Sequence, residues 1–276
     1  MKKRLIPVLV FCFWIQAVTA VLSGTDQPNG METSTPLIMG EKLTIRSQVL
    51  NEERILLVHL PRGYRESKRK FPVLYLLDGE FFFQQATAAV RFISECGYLG
   101  ALWNRNYLAP QLIVVGIVNV DRNHDYTPTH RETISSSRFP TSGGAAKFLK
   151  FFENELIPFI DYRYRTHPYR IISGWSLGGL FTIHAFLNKP DLFDAYIAIS
   201  PSMWWDNQLP VNQAEALIKK GKINTKPLVV TLGSQEKGGS MERPIKGRLV
   251  PLFKNRPQKI PNFHFLEIEG ENHFHT

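Results

Sequence analysis

Short apolar runs bounded by glycine, proline and asparagine alternate along this chain with longer stretches in which apolar residues recur every three or four positions. The runs "FPVLYLLDG", "QLIVVGIVNV", "YRIISG", "DAYIAIS", "PLVVTLG" and "FHFLEIEG" read as strands. The segments "FFQQATAAVRFISE" and "AAKFLKFFENELIPFI" read as helices. In the second, Phe148, Phe152 and Leu156 share one face while Lys147, Lys150, Glu153 and Asn154 fill the other, as in a helix lying on a sheet. Strands this continuously apolar have no side left for water. Their alternation with helices therefore predicts the α/β class, with a mostly parallel central sheet flanked by helices. Upstream, "KLTIRSQVL" and "ERILLVHLP" around "NEE" predict a hairpin. Ligands of such sheets sit at the carboxyl ends of the strands, so chemistry is expected just after each run.

The N-terminus departs from this pattern. "MKKRLIPVLVFCFWIQAVTA" has basic residues, an apolar stretch of about 14 and small residues at its end, the layout of a secretory signal peptide cleaved after Ala20. Its apolar core is short for a bilayer span, so no stable membrane span is expected after cleavage, and the protein is expected to be exported, periplasmic or secreted. Residues 21–40 lack periodicity and read as a flexible leader, and residues 41–276 as one domain. Loss of the signal peptide, with Lys2, Lys3 and Arg4, lowers the formal charge from +9 to about +6. Only "ESKRK" forms a basic run, and it lies among turn residues, so nucleic acid is not an expected partner. Cys12 falls in the signal segment and leaves Cys96 alone, which excludes an intramolecular disulfide and a multi-cysteine metal site.

Chemistry enters with "RIISGWSLGGLF". Ser176 stands between Gly174 and Gly178 where a strand-like run meets a helix-like one, the setting of a nucleophile elbow. Side chains two residues before and after the serine would collide in so tight a turn, which accounts for the glycines. The Leu177 amide then lies at a helix N-terminus, ready to donate to an oxyanion. A second donor is expected after "VLYLLDGEFF", from Gly79 or Glu80.

A serine hydroxyl needs a base and an orienting acid. His184 lies within the elbow helix and His264 within the last strand, whereas His273 follows the carboxyl end of that strand and is the expected base, with His275 as the alternative. For the acid, Glu236 follows "PLVVTLG" and is preferred; Asp206, after "ISPSMWW", is the other candidate. "HFH" offers no third ligand at suitable spacing, so no metal is expected. The loops "NVDRNHDYTPTHRE" and "SPSMWWDN" should overhang the site. There Arg122, His124 and Arg131 are candidates to meet anionic groups of a substrate, and Trp204 and Trp205 to offer flat apolar surface.

Taken together, the elbow, "FPVLYLLDGEFFF", "DYTPTHR", "GGAAKFLKFFENELIPFID", "YRTHPYRIISGWSLGGLF" and "AISPSMWWDN" resemble the esterase family of α/β-hydrolases that holds enterochelin-type siderophore esterases and esterase D relatives. The resemblance runs from about Lys42 to His273 and implies a serine-hydrolase fold, no cofactor and hydrolysis of a small-molecule carboxylic ester or lactone. It places the nucleophile on Ser176 and the histidine on His273; some members resemble a Ser-His dyad, which leaves the acid open. An acyltransferase on the same fold and a non-catalytic exported binding protein are the alternatives. The family layout also implies a helix after the histidine, where this sequence has only Phe274, His275 and Thr276. The expectation is a fold with its C-terminal helix missing, a truncated copy in which nothing anchors the segment carrying His273.

Overall fold

A computed structural model describes residues 34–100, 109–130, 138–254 and 262–275, side chains of 96–100 excepted. The signal-peptide reading of residues 1–20, most of the leader, Arg131 and the Cys96 side chain lie outside the described residues. Among the described residues, no helix is long and apolar enough to cross a membrane.

The expected hairpin is formed by β1 (Glu41–Ser47) and β2 (Glu52–His59), antiparallel with Ser47 opposite Glu52. Next in the chain come β3 (Phe71–Leu76), α1 (Gly79–Gly100), β4 (Ile113–Ile117) and the short α2 (Arg122–Tyr126). Beyond them, α3 (Ala145–Phe151) passes through a π-helical turn (Phe152–Leu156) into α4 (Ile157–Arg163). The rest is β5 (Thr166–Trp175), α5 (Leu177–Asn188), β6 (Ala195–Ile199), α6 (Trp205–Lys219), β7 (Leu228–Gly233), α7 (Glu242–Pro244), a second π turn (Ile245–Leu249), α8 (Val250–Lys254) and β8 (Phe263–Ile268).

The described residues form an eight-stranded sheet of order β1-β2-β4-β3-β5-β6-β7-β8. β2 meets β4 antiparallel, and from β4 to β8 every pairing is parallel. This is the α/β-hydrolase architecture the sequence led us to expect. The alternation of side chains across a strand explains why the runs are apolar throughout. Val73, Tyr75 and Leu77 enter one core cluster, with Ile113, Val115 and Ile117 of β4; Leu74, Leu112 and Val114 enter the other, with Phe83 and Val90 of α1. Phe148, Phe152 and Leu156 are fully buried as the spacing predicts. Phe151, three residues after Phe148 on the same face, is also fully buried. At the sheet edge, α8 covers one side of β8 through Phe253 against Phe263, ring centroids 5.0 Å apart, while Leu266 remains 51% exposed.

Strand order gathers the helix starts and loops at one edge. β3 and β5 are neighbours, so the helices that leave them, α1 and α5, begin side by side at the carboxyl edge of the sheet. The loops after β4, β6, β7 and β8 open on the same edge.

Candidate active site

The elbow is built by sterics. Ser176 holds φ 57° and ψ −113°, a backbone conformation L-residues rarely adopt, and caps α5. A Cβ on Gly174 would stand 2.4 Å from the backbone of Gly178, so the turn closes this tightly only with glycine there. The Ser176 amide donates to the Ile199 carbonyl at 2.9 Å and the Ser202 amide to the Ser176 carbonyl at 3.0 Å, fastening the turn to β6 and the loop after it.

The Ser176 hydroxyl lies 3.0 Å from Nε2 of His273, and Nδ1 of the same ring lies 2.8 Å from Oε2 of Glu236. The other carboxylate oxygen of Glu236 accepts from the Ser200 hydroxyl at 2.7 Å and the Gly233 amide at 2.9 Å. With its side chain 4% exposed, Glu236 is held in one orientation. Asp206 instead accepts from the Thr129 hydroxyl at 2.7 Å. The ring of His275 is exposed and sits 3.8 Å from Glu271. Of the two histidines and two carboxylates the sequence offered, His273 and Glu236 are the pair brought to Ser176.

The expectation that nothing anchors the His273 segment is corrected. The Trp175 indole donates to the His273 carbonyl at 2.7 Å. The loop after β7 also holds this segment, through Gln235 N–H on the Glu271 carbonyl at 2.9 Å and Gly270 N–H on the Ser234 hydroxyl at 2.9 Å. Loop-to-loop hydrogen bonds therefore hold the segment in place.

Leu177 and Gly79 are the first residues of α5 and α1, where backbone N–H groups have no partner within the helix. The Glu80 amide stands in the same first turn of α1, and the Glu80 carboxylate accepts from the Asn119 side chain at 2.7 Å. A Cβ on Gly79 would lie 2.7 Å from the Gly116 carbonyl carbon, so glycine lets α1 start against β4. Asp78, at φ 55°, precedes it, and its carboxylate oxygen would be 3.1 Å from a Cβ on Gly178. The turn before α1 thus rests on the first turn of α5.

Among the residues expected to meet substrate, Trp205 is a second correction. It is fully buried, 5.1 Å from Phe139 edge-on, and its indole donates to the Thr129 hydroxyl at 3.1 Å. Packing a whole indole into the core outweighs leaving it in a loop. Trp204 is half-buried between Trp205 and Phe139. Arg122 is not a free cation: Nε and Nη2 donate to the two Asp78 oxygens at 2.6 and 3.0 Å. His124 lies 3.0 Å from Asp125. Sequence reasoning missed Asp78, Asn119, Ser200 and Ser202, whose common signal is a position just beyond the carboxyl end of a strand, and Tyr126, which closes α2.

Comparison with known proteins gives a consistent answer. The family model described as Putative esterase matches residues 47–249. The chain is 29% identical over 276 residues to ferri-bacillibactin esterase BesA of Bacillus subtilis, covering 90% of this chain and 89% of that protein. Among solved structures, an IroE-like serine hydrolase from Shewanella oneidensis superposes with a TM-score of 0.71 at 28% identity, over 86% of this chain and 75% of that one. The BES protein from Bacillus cereus superposes with a TM-score of 0.73 at 25% identity, over 89% and 94%.

Proposed function

Because this chain belongs to the Putative esterase family and is a carboxylic ester hydrolase, we propose that it works through an acyl-enzyme on Ser176. The observation that carries this reading is the unbroken line from the Ser176 hydroxyl through both nitrogens of His273 to Glu236, at 3.0 and 2.8 Å. In the first step Oγ attacks the ester carbonyl while its proton passes to Nε2 of His273. The Glu236 carboxylate accepts from Nδ1–H, which fixes the ring tautomer and offsets the imidazolium charge. The Leu177 amide and the amide of Gly79 or Glu80 donate to the developing oxyanion. The imidazolium returns its proton to the leaving alkoxide, and water repeats the sequence on the acyl-enzyme.

The substrate we propose is a siderophore lactone or another ester carrying aromatic acyl groups, met outside the cytoplasm after export directed by residues 1–20. Relatives named siderophore triacetylfusarinine C esterase and siderophore enterobactin esterase support the first part. So does an aromatic surface beside the base: Trp175 lies 4.8 Å from the His273 ring, 5.8 Å from Phe82 and 5.8 Å from the exposed Phe274. Such rings favour a flat aromatic guest.

The test is fluorophosphonate labelling with peptide mapping, beside turnover of a catecholate trilactone, feruloyl esters and acetyl esters. Labelling confined to Ser176, abolished in Ser176→Ala together with at least about a thousandfold of the turnover, is the expected result. Undiminished hydrolysis by folded Ser176→Ala overturns the mechanism. Preference for acetyl over aromatic esters overturns the substrate class.

A further inference from the structure

We infer that Arg122 is a positioning residue for ester cleavage, a strap that ties the turn carrying the oxyanion donors of α1 to the turn carrying the nucleophile. This rests on the roles proposed above for Ser176, Leu177 and the first amides of α1. Arg122 follows β4, which lies on the far side of β3 from β5, so its side chain reaches across one strand to the elbow. There its guanidinium donates to both oxygens of Asp78, at 2.6 and 3.0 Å, and to the Trp175 carbonyl at 3.1 Å. It lies over the rings of Tyr126 and Trp175, 5.4 and 5.6 Å from their centroids.

The Arg122 hydrogen bonds fall on one strained residue, Asp78, and on the peptide leading into another, Ser176. Asp78 and Ser176 both have left-handed φ values without being glycine, 55° and 57°, and such conformations persist only where surroundings enforce them. Asp78 is enforced by Arg122, by the Asn119 amide at 2.7 Å on its carboxylate, and by the Tyr126 hydroxyl, which accepts from its backbone N–H at 3.1 Å. The peptide leading into Ser176 is held at both ends, its carbonyl by Arg122 and its N–H by the Ile199 carbonyl. One planar cation thus sets the two turns whose amides must aim at one oxygen atom. A lysine ammonium has no fork to span these three acceptors at once.

Charge gives the strap a second consequence. The Asp78 side chain is 1% exposed and sits against the first turn of α5, where an uncompensated carboxylate would oppose an oxyanion. Arg122 cancels that charge where it arises. Removing Arg122 alone should therefore be worse than removing both partners.

The experiment measures kcat and KM of Arg122→Lys, Arg122→Met, Asp78→Asn and the double variant Asp78→Asn/Arg122→Met. The substrates are a neutral aryl butyrate and the matching aryl hemisuccinate, which carries a free carboxylate. We expect Arg122→Met to lose about 100-fold in kcat on both esters with KM within roughly threefold, the cost of misaimed donors. Arg122→Lys should lose about tenfold, and the double variant should recover part of the loss seen with Arg122→Met. A KM increase confined to the hemisuccinate, with kcat intact, makes Arg122 an anion-binding residue and overturns the inference. So does strictly additive behaviour of the double variant, or unchanged kcat. Should Arg122→Met fail to fold, Arg122→Lys and the double variant decide by the same criteria. Labelling of the wild type at Ser176 is read separately: its absence sinks the proposed mechanism, whereas labelling with an unaffected Arg122→Lys sinks the strap alone.

Discussion

The indole of Trp175 donates to the backbone carbonyl of His273 at 2.7 Å, and its ring lies 4.8 Å from the imidazole. The residue just before Ser176 therefore holds the segment that bears His273. Local strain at the elbow and distant placement of the histidine are coupled through one side chain. Trp175→Phe keeps the ring surface and removes the N–H. With a hydrogen bond worth about 0.5–1.5 kcal/mol, ester turnover should fall roughly two- to tenfold while the melting temperature changes little. Unaltered kcat/KM would show that the loops hold His273 without it.

Glu236 offers a second test, because its two oxygens serve different partners. Glu236→Gln can still accept from Ser200 and Gly233 through Oε1, but it loses the charge facing the His273 ring. The expected loss in kcat is about 10²–10⁴-fold, smaller than that for His273→Ala. Asp206→Asn, which alters a bond to Thr129, should cost less than tenfold. The reverse ranking in steady-state kinetics would move the acid to Asp206.

The closeness of the elbow turn predicts the effect of one methyl group. Gly174→Ala places a Cβ 2.4 Å from the Gly178 backbone, where nothing flexible can give way. Displacing α5 to admit it should cost about 1–3 kcal/mol, a drop of several degrees in melting temperature, and should misdirect Ser176. A variant that melts with the wild type and keeps its fluorophosphonate labelling rate would refute this.

Acid stability should depend on a histidine outside the site. Burial lowers the His184 pKa in the fold from the ordinary 6.5 to about 4, and Asn188 donates to its Nδ1 at 3.1 Å. The unfolded chain then binds a proton that the folded chain refuses between these values. Stability contributed by neutral His184 is complete above pH 6.5 and is lost as pH falls toward 4, by about 1–3 kcal/mol. Urea unfolding at pH 7 and pH 5 reads this directly. His184→Gln should shrink the difference between the two pH values, and an unchanged difference would assign it to other groups.

The sequence by itself determined the strands, the buried face of α3 and the setting of Ser176. Each depends on neighbours only a few residues apart: alternation along a strand, helical spacing, and the collision with the Gly178 backbone that requires glycine at 174. It also narrowed the base to His273 or His275 and the acid to Glu236 or Asp206, since chain order and strand ends limit what can reach the elbow. It stopped there because both carboxylates follow strands, and their distance from the histidine depends on sheet order rather than on local pattern. Only tertiary structure decided that Trp205 turns into the core against Phe139, and that the Arg122 guanidinium pairs with the Asp78 carboxylate. Asp78 and Arg122 are 44 positions apart, and no periodicity links them. They meet because β3 inserts between β4 and β5, a choice made by packing two apolar sheet faces at once.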